Sequence, residues 1–378
     1  MESISDAIQK KLEFTKSKNR FRTLKNPHGI DISSNDYLCL SQHPKLIAAL
    51  KEGIDRYGAG STASRLIRGN RDIFTKFETE FSSFVAAESG LLVANGYAAN
   101  SGLMDSIAGP DTIVFSDRLN HASILDGIRI SGAKKIYFQH LDYSHLESQL
   151  AKYASHPKKI LVVESLYSMD GDTIDLERII SFKEKYGLVL VVDDAHSFGV
   201  FGKQGRGILF ANPDSQNLIS KIDFRIYTLG KSMGLEGGII VSSQQNIEFL
   251  VNTMRKFIFS TGIMPCIPFA GLVSLELISS MDVERAKIQT LAERFRVMAV
   301  RSGLQTTNST THIIPVLCNS EDDAITKSKL LEEHGIDVRA IRPPTVETSR
   351  LRFSLNAGVE WEVLEKSILL LSQQTTGY

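Results

Sequence analysis

Short apolar runs alternate with stretches of helical spacing over the first two thirds of this chain, and that alternation restricts its fold more than any other feature. Seven runs read as strands: GLLVA around Leu92, TIVFS around Val114, KIYF around Tyr137, KILVVE ending at Glu164, LVLVVD ending at Asp193, FRIYT ending at Thr228 and GGIIVSS around Ile240. Most are apolar on successive residues, as strands are when helices cover both faces of a parallel sheet. Between them lie segments such as DLERIISFKEKY, residues 175–186, with acids in the first turn, lysines in the last and Gly187 just beyond as a stop. The expected fold class is α/β, with a wide, mostly parallel seven-stranded sheet.

After about Lys256 the pattern changes to long helical stretches, short strands near Ile313 and Leu351, and a closing helix in WEVLEKSILLLSQQ. The expected organisation is an N-terminal segment (residues 1–40), a large domain (41–256) and a smaller α+β C-terminal domain (257–378). There is no internal repeat, low-complexity tract or linker-like stretch. Lysine plus arginine and aspartate plus glutamate both number 43, so no net field favours nucleic acid or an anionic membrane, and a small molecule is the better partner. Three cysteines, Cys39, Cys266 and Cys318, form no metal-type spacing and no disulfide framework. The N-terminal stretch MESISDAIQKKLEFTKSK is a polar amphipathic helix pattern without an apolar signal core, and no apolar run approaches the ~20 residues of a spanning helix. A soluble, cytoplasmic protein is expected.

Three of the strand candidates end in polar clusters: ESLYSMDGD from Glu164, DDAHSFG from Asp193 and TLGKS from Thr228. Ligands bind where the C-terminal ends of parallel strands converge, so Glu164, Ser168, Asp193, His196, Thr228 and Lys231 are candidates for one pocket. Each polar residue also has a plain reading as a cap or turn residue. Two familiar motifs fail on context. GKS at 230–232 lacks the glycine a phosphate loop needs five residues before Gly230, where this chain has Arg225. GAGSTA at 58–63 follows a helical pattern rather than a strand, which excludes a Rossmann nucleotide site. HExxH, paired cysteines and a nucleophile elbow are all absent, so metal-dependent and serine hydrolysis lack their residues and no metal is expected.

A lysine able to form an imine, a carboxylate to face a ring nitrogen, a histidine to stack and a phosphate cradle at a helix start are together the parts of pyridoxal 5'-phosphate (PLP) chemistry. The motifs SSNDYLCLSQHP (33–44), GAGSTASRLIRGN (58–70), NGYAANSGLM (95–104), SDRLNHASILDG (116–127), ESLYSMDGD (164–172), DDAHSFGVFG (193–202), TLGKSMG (228–234), IFST (258–261) and RPPTVETSRLRFSLNA (342–357) run through nearly the whole chain. With them the chain resembles the α-oxoamine synthases among the fold type I PLP enzymes, most closely the branch that makes a biotin precursor from a pimeloyl thioester.

The resemblance implies a PLP-transferase-like fold and a homodimer with shared active sites. It implies that Lys231 carries the cofactor and serves as base, that Asp193 pairs with the ring nitrogen, that His121 stacks on the ring, and that His196 and Ser168 bond its phenolic oxygen. Gly96, Tyr97 and Thr228 would hold the phosphate, joined by Ser260 and Thr261 of the neighbouring subunit, and Glu164 lies within the same cofactor site. On the substrate side, Arg352 and Asn35 would meet the amino-acid carboxylate, Thr345 would touch substrate, and Arg20 or Arg22 would meet the acyl chain's distal carboxylate. The implied reaction is a decarboxylative condensation of L-alanine with pimeloyl-CoA or a pimeloyl carrier protein. A sibling enzyme using glycine, serine or another amino acid with a different acyl thioester, and a catalytically silent cofactor-binding relative, remain alternatives. Phe74 and Phe198 depart from the usual histidine and threonine of the family, in segments that can border the substrate pocket.

Overall fold

The computed structural model describes residues 2–18 and 20–373. Its strands, in chain order, are β1 Ile30–Asp31, β2 Ser89–Val93, β3 Ile113–Asp117, β4 Lys134–Phe138, β5 Lys159–Glu164, β6 Val189–Asp193, β7 Phe224–Thr228, β8 Gly238–Ser242, β9 Ile313–Leu317, β10 Ile336–Asp337, β11 Ala340–Ile341 and β12 Arg350–Ser354. All seven strands read from the apolar runs are present, as β2 to β8.

The chain divides into two compact units. The larger, Asn35–Ser168 with Thr173–Ala286, holds a seven-stranded sheet in the order β2-β8-β7-β6-β5-β3-β4. Pairs from β7 through β4 are parallel, while β8 runs antiparallel to both β2 and β7. The sheet is therefore mixed, and mostly parallel as expected. Its alternate residues Leu91, Val114, Val162, Val191, Ile226 and Ile240 pack on Leu103, Ile124, Ile128 and Leu250 from helices Gly96–Ile107, Ala122–Ser131 and Gln244–Thr253. Every strand of this sheet except β4, at its edge, buries residues on both faces, which is why those runs lack polar alternation.

Helix Leu176–Tyr186 shows how local sequence sets an element. The Asp175 side chain accepts from the Arg178 backbone N–H, Lys183 and Lys185 lie in the last turn, and Gly187 caps the end at φ 62°. That left-handed conformation favours glycine because it has no Cβ.

The smaller unit comprises Met1–Ser34, Met169–Asp172 and Lys287–Tyr378. Its three-stranded antiparallel sheet has the order β11-β12-β9 and packs Leu351 and Phe353 against Phe295, Leu331, Leu364 and Ile368. Phe295 and Phe353 are fully buried with ring centroids 4.8 Å apart, so truncating either to alanine should cost about 3–5 kcal/mol.

These boundaries differ from the expected divisions at 40/41 and 256/257. The N-terminal segment joins the C-terminal unit because β1 pairs in parallel with β10, Ile30 opposite Ile336. The larger unit extends to Ala286 because helix Cys266–Ser280 packs against helices Pro44–Tyr57 and Asp72–Phe84, where a Cβ on Gly271 would stand 2.5 Å from the Phe77 ring. The excursion Met169–Asp172 is tied into the smaller unit by Arg350, whose Nη1 donates to Asp170 Oδ1 at 2.7 Å and the Met169 carbonyl at 2.9 Å. Among the described residues no single helix is long and apolar enough to cross a membrane, and no cluster of His, Cys, Asp and Glu has metal-holding geometry.

Candidate active site

Strands β5, β6 and β7 are adjacent and parallel, and their registers place Glu164 opposite Asp193, and Asp193 opposite Ile226. The polar residues at their C-terminal ends thus share one edge of the sheet. There they line a cavity of about 540 Å³, its mouth included, together with Gly96, Tyr97, His121, His196 and Lys231. Thr228 lines it from the end of β7. Eight of the residues read from sequence therefore meet in one place.

Lys231 owes its position to the loop that joins β7 to β8. Leu229 N–H donates to the Gly237 carbonyl at 3.0 Å, Leu235 N–H to the Leu229 carbonyl at 3.0 Å, and Gly234 N–H to the Lys231 carbonyl at 2.8 Å. Gly234 has φ 66°, and a Cβ there would stand 2.5 Å from the Ser41 backbone nitrogen. The glycines of TLGKSMGLEGG thus close a tight turn that leaves Lys231 half-buried at the cavity.

Asp193 is buried, and each carboxylate oxygen has a donor: Asn100 Nδ2 reaches Oδ2 at 2.6 Å and Ala195 N–H reaches Oδ1 at 3.0 Å. Glu164 is also buried and accepts the His121 backbone N–H at 2.5 Å. Burial first, and then the neighbouring Asp193 charge, push the Glu164 carboxyl well above the usual range, so its neutral form is favoured. His121 caps helix Ala122–Ser131, its Nδ1 lying 2.7 Å from Ser123 Oγ. His121 thus caps this helix and lines the cavity as well. Although one side of His121 is exposed, the surrounding protein lowers its pKa, with Asp193 opposing that shift and Lys231 adding to it.

Across the cavity, the first residues of helix Gly96–Ile107 present backbone N–H groups that have no partner within the helix. A Cβ on Gly96 would stand 3.3 Å from Thr228, so glycine keeps that wall low. Tyr97 donates its hydroxyl to Asp126. A helix N-terminus beside a hydroxyl favours a phosphate. A buried carboxylate, a neighbouring amine, a histidine ring and this anion-favouring end together fit a phosphorylated, protonated pyridine.

Other expected residues lie elsewhere. Ser168 follows β5, half-buried, and is not part of the cavity lining. Ser260 and Thr261 follow helix Arg255–Ile258 and do not line this cavity either. Asn35 accepts from the Tyr37 hydroxyl at 2.9 Å. In the smaller unit, Arg20, Arg22 and Thr345 line a cavity of about 400 Å³, its open mouth included, with Arg342. Arg20 is engaged by Glu321 through Nη2 at 2.6 Å and Nε at 2.9 Å, whereas Arg22 donates to the neutral Thr345 hydroxyl at 3.0 Å. Arg352 lies buried in β12, its Nη1 2.6 Å from Ser354 Oγ. Phe74 and Phe198 are fully buried and do not line the active-site cavity; Phe198 packs on Phe81 and Tyr227, with centroids 5.3 and 5.4 Å away.

Sequence reasoning missed Asn100, Tyr37 and Ser123. Asn100 had a signal: it stands four residues after Gly96, on the same face of one helix. Tyr37 had none, since its contact with His196 spans 159 residues.

Residues 27–368 match the aminotransferase class I and II family. An 8-amino-7-oxononanoate synthase of Geobacter sulfurreducens is 37% identical over 346 residues, covering 90% of this chain and 88% of the relative. Among solved structures, a serine palmitoyltransferase from S. paucimobilis with bound PLP-myriocin superposes with a TM-score of 0.89 at 25% identity, covering 97% of this chain and 96% of that one. An 8-amino-7-oxononanoate synthase from Francisella tularensis superposes with a TM-score of 0.78 at 28% identity, covering 92% of this chain and 98% of that one.

Proposed function

The chain belongs to the aminotransferase class I and II family, as a PLP-dependent acyltransferase of the α-oxoamine synthase type, and on that premise we propose that it condenses L-alanine with a pimeloyl thioester. The products are 8-amino-7-oxononanoate, carbon dioxide and the free thiol. The observation that carries this reading is the meeting of Lys231, Asp193, His121 and His196 around one cavity beside the N-terminus of helix Gly96–Ile107.

When bound, PLP withdraws electrons from the α-carbon of the amino acid attached to it. Asp193, held by Asn100 and Ala195, sets a fixed negative charge against the ring nitrogen. The Lys231 amine takes the α-proton, having first held the cofactor in place. His121 stacks on the ring while Glu164 holds the backbone on which it stands. Gly96, Tyr97 and Thr228 receive the phosphate, with Ser260 and Thr261 contributing across a homodimer. Arg352 and Asn35 bind the amino-acid carboxylate, which orients the bond to be broken. His196, which lines the cavity, is the group proposed for the phenolic oxygen, and Ser168, outside that lining, is not assigned to it.

For the acyl chain's distal carboxylate, the favoured group is Arg22. Arg20 already has a carboxylate partner in Glu321, while Arg22 and Arg342 bring guanidinium groups to a cavity shared with Thr345. A cytoplasmic location suits this chemistry.

Two measurements test the reading. Borohydride reduction and peptide mapping of the PLP-loaded protein should place the cofactor on Lys231. The visible absorbance of lysine-bound PLP should shift with L-alanine in preference to glycine and L-serine, and be absent from Lys231→Ala. Attachment elsewhere, or no absorbance with PLP in excess, would exclude the proposed chemistry; a stronger response to glycine or serine would move the protein to a sibling activity.

A further inference from the structure

Tyr37 is fully buried, and its hydroxyl reaches Asn35 Oδ1 at 2.9 Å and His196 Nδ1 at 2.7 Å. The Tyr37 and His196 rings are tilted by 50° with centroids 6.3 Å apart, so the contact is made through the hydroxyl rather than by stacking. His196 is itself buried and lines the active-site cavity. Nothing in the chemistry described above uses Tyr37.

A phenol has one hydrogen to donate. A carbonyl oxygen can only accept, so that hydrogen goes to Asn35 Oδ1. The Tyr37 oxygen then meets His196 with a lone pair, and the 2.7 Å contact requires the hydrogen to sit on Nδ1. We propose that Tyr37 is a positioning residue that fixes a proton on Nδ1 of His196 and so decides what Nε2 can do. A neutral ring held this way offers a lone pair at Nε2. A second proton there makes both nitrogens donors, and the Nδ1–H···O bond to Tyr37 strengthens because the ring is charged.

The titratable groups that share the cavity with His196 are Tyr97, His121, Glu164, Asp193, Tyr227 and Lys231. An anionic ligand oxygen facing Nε2 favours the doubly protonated ring. On the proposed function that oxygen is the phenolic oxygen of PLP, so cofactor binding draws a proton onto Nε2. This consequence rests on that reading; the placement of the proton on Nδ1 does not.

The test is nitrogen NMR of the full-length protein carrying 15N-labelled histidine, without and with PLP, the His196 signal being identified by its loss in His196→Gln. Without PLP, at a pH where the ring is neutral, Nδ1 should be protonated and Nε2 bare. Tyr37→Phe, which deletes only the hydroxyl, should abolish this preference with unfolding temperature measured alongside. Asn35→Ala removes the acceptor, frees the Tyr37 hydrogen to turn toward Nδ1, and should reverse the tautomer to Nε2–H. A wild-type Nε2–H tautomer, which would mean that the Asn35 amide faces Tyr37 with its NH2, overturns the proposal, as does an unchanged Nδ1–H in Tyr37→Phe. If Nδ1–H is found but PLP adds no proton at Nε2, the inference about Tyr37 stands and the placement of His196 against the phenolic oxygen fails.

Discussion

Asn100→Ala isolates one bond at the centre of the cofactor site. Asn100 is buried, and its amide supplies one of the two donors to the Asp193 carboxylate, at 2.6 Å. A hydrogen bond to a charged group is worth about 1.5–3 kcal/mol net. Removing it leaves Asp193 Oδ2 short of a donor and free to turn from the ring nitrogen, so PLP affinity should fall by about 10- to 150-fold. Asn100→Asp should be worse, because it replaces the donor with a like charge. The assay is equilibrium titration of the cofactor-free protein with PLP, followed by absorbance, with thermal unfolding of each cofactor-free variant as the control for packing. Unchanged affinity in both variants would refute the claim that the Asn100–Asp193 bond supports cofactor binding.

Three other perturbations follow from the same geometry. Asp194 is fully buried; burial raises its pKa to about 7, against the hydrogen bonds from Ser165 and Ser197 that lower it. A raised carboxyl binds its proton more tightly folded than unfolded, so stability should decline between about pH 4 and pH 7, by up to about 4 kcal/mol, and Asp194→Asn should flatten that slope in denaturant unfolding. Because Glu164 favours its neutral form and its acceptor oxygen holds the His121 N–H, Glu164→Gln should keep most of the PLP affinity while Glu164→Ala loses about 10-fold, read by the same titration. Arg22→Met should raise KM for a pimeloyl thioester about 10- to 100-fold and leave that for an acyl thioester without a distal carboxylate unchanged; Arg20→Met, which breaks the pair with Glu321, should change KM much less.

The large unit was legible because central strands such as β5 and β6 are apolar on both faces and so stand out as runs without polar alternation. The cavity was legible for a related reason: a parallel sheet gathers its strand ends, so Glu164, Asp193 and Thr228 converge wherever their helices turn. The domain limits were not, since strand β1 is only Ile30–Asp31 and its pairing with β10 leaves no periodicity to read. Helix Cys266–Ser280 reads as the start of a new helical region, and only its packing against Pro44–Tyr57 assigns it to the larger unit. Arg20 and Arg22 were indistinguishable in sequence, because what separates them is Glu321, some 300 residues away, which pairs with one and not the other. Phe74 and Phe198 pointed toward specificity by their departure from the family, yet both belong to the core.

The central claim is that this active site joins an amino acid to an acyl thioester with loss of carbon dioxide, and prefers L-alanine. The most direct test measures free thiol and carbon dioxide released from a pimeloyl thioester by the PLP-loaded protein, with L-alanine, glycine or L-serine in turn. The account predicts equimolar release of both with L-alanine, less with the other two, and none from Lys231→Ala. Thiol release without carbon dioxide, or release that survives in Lys231→Ala, would contradict it.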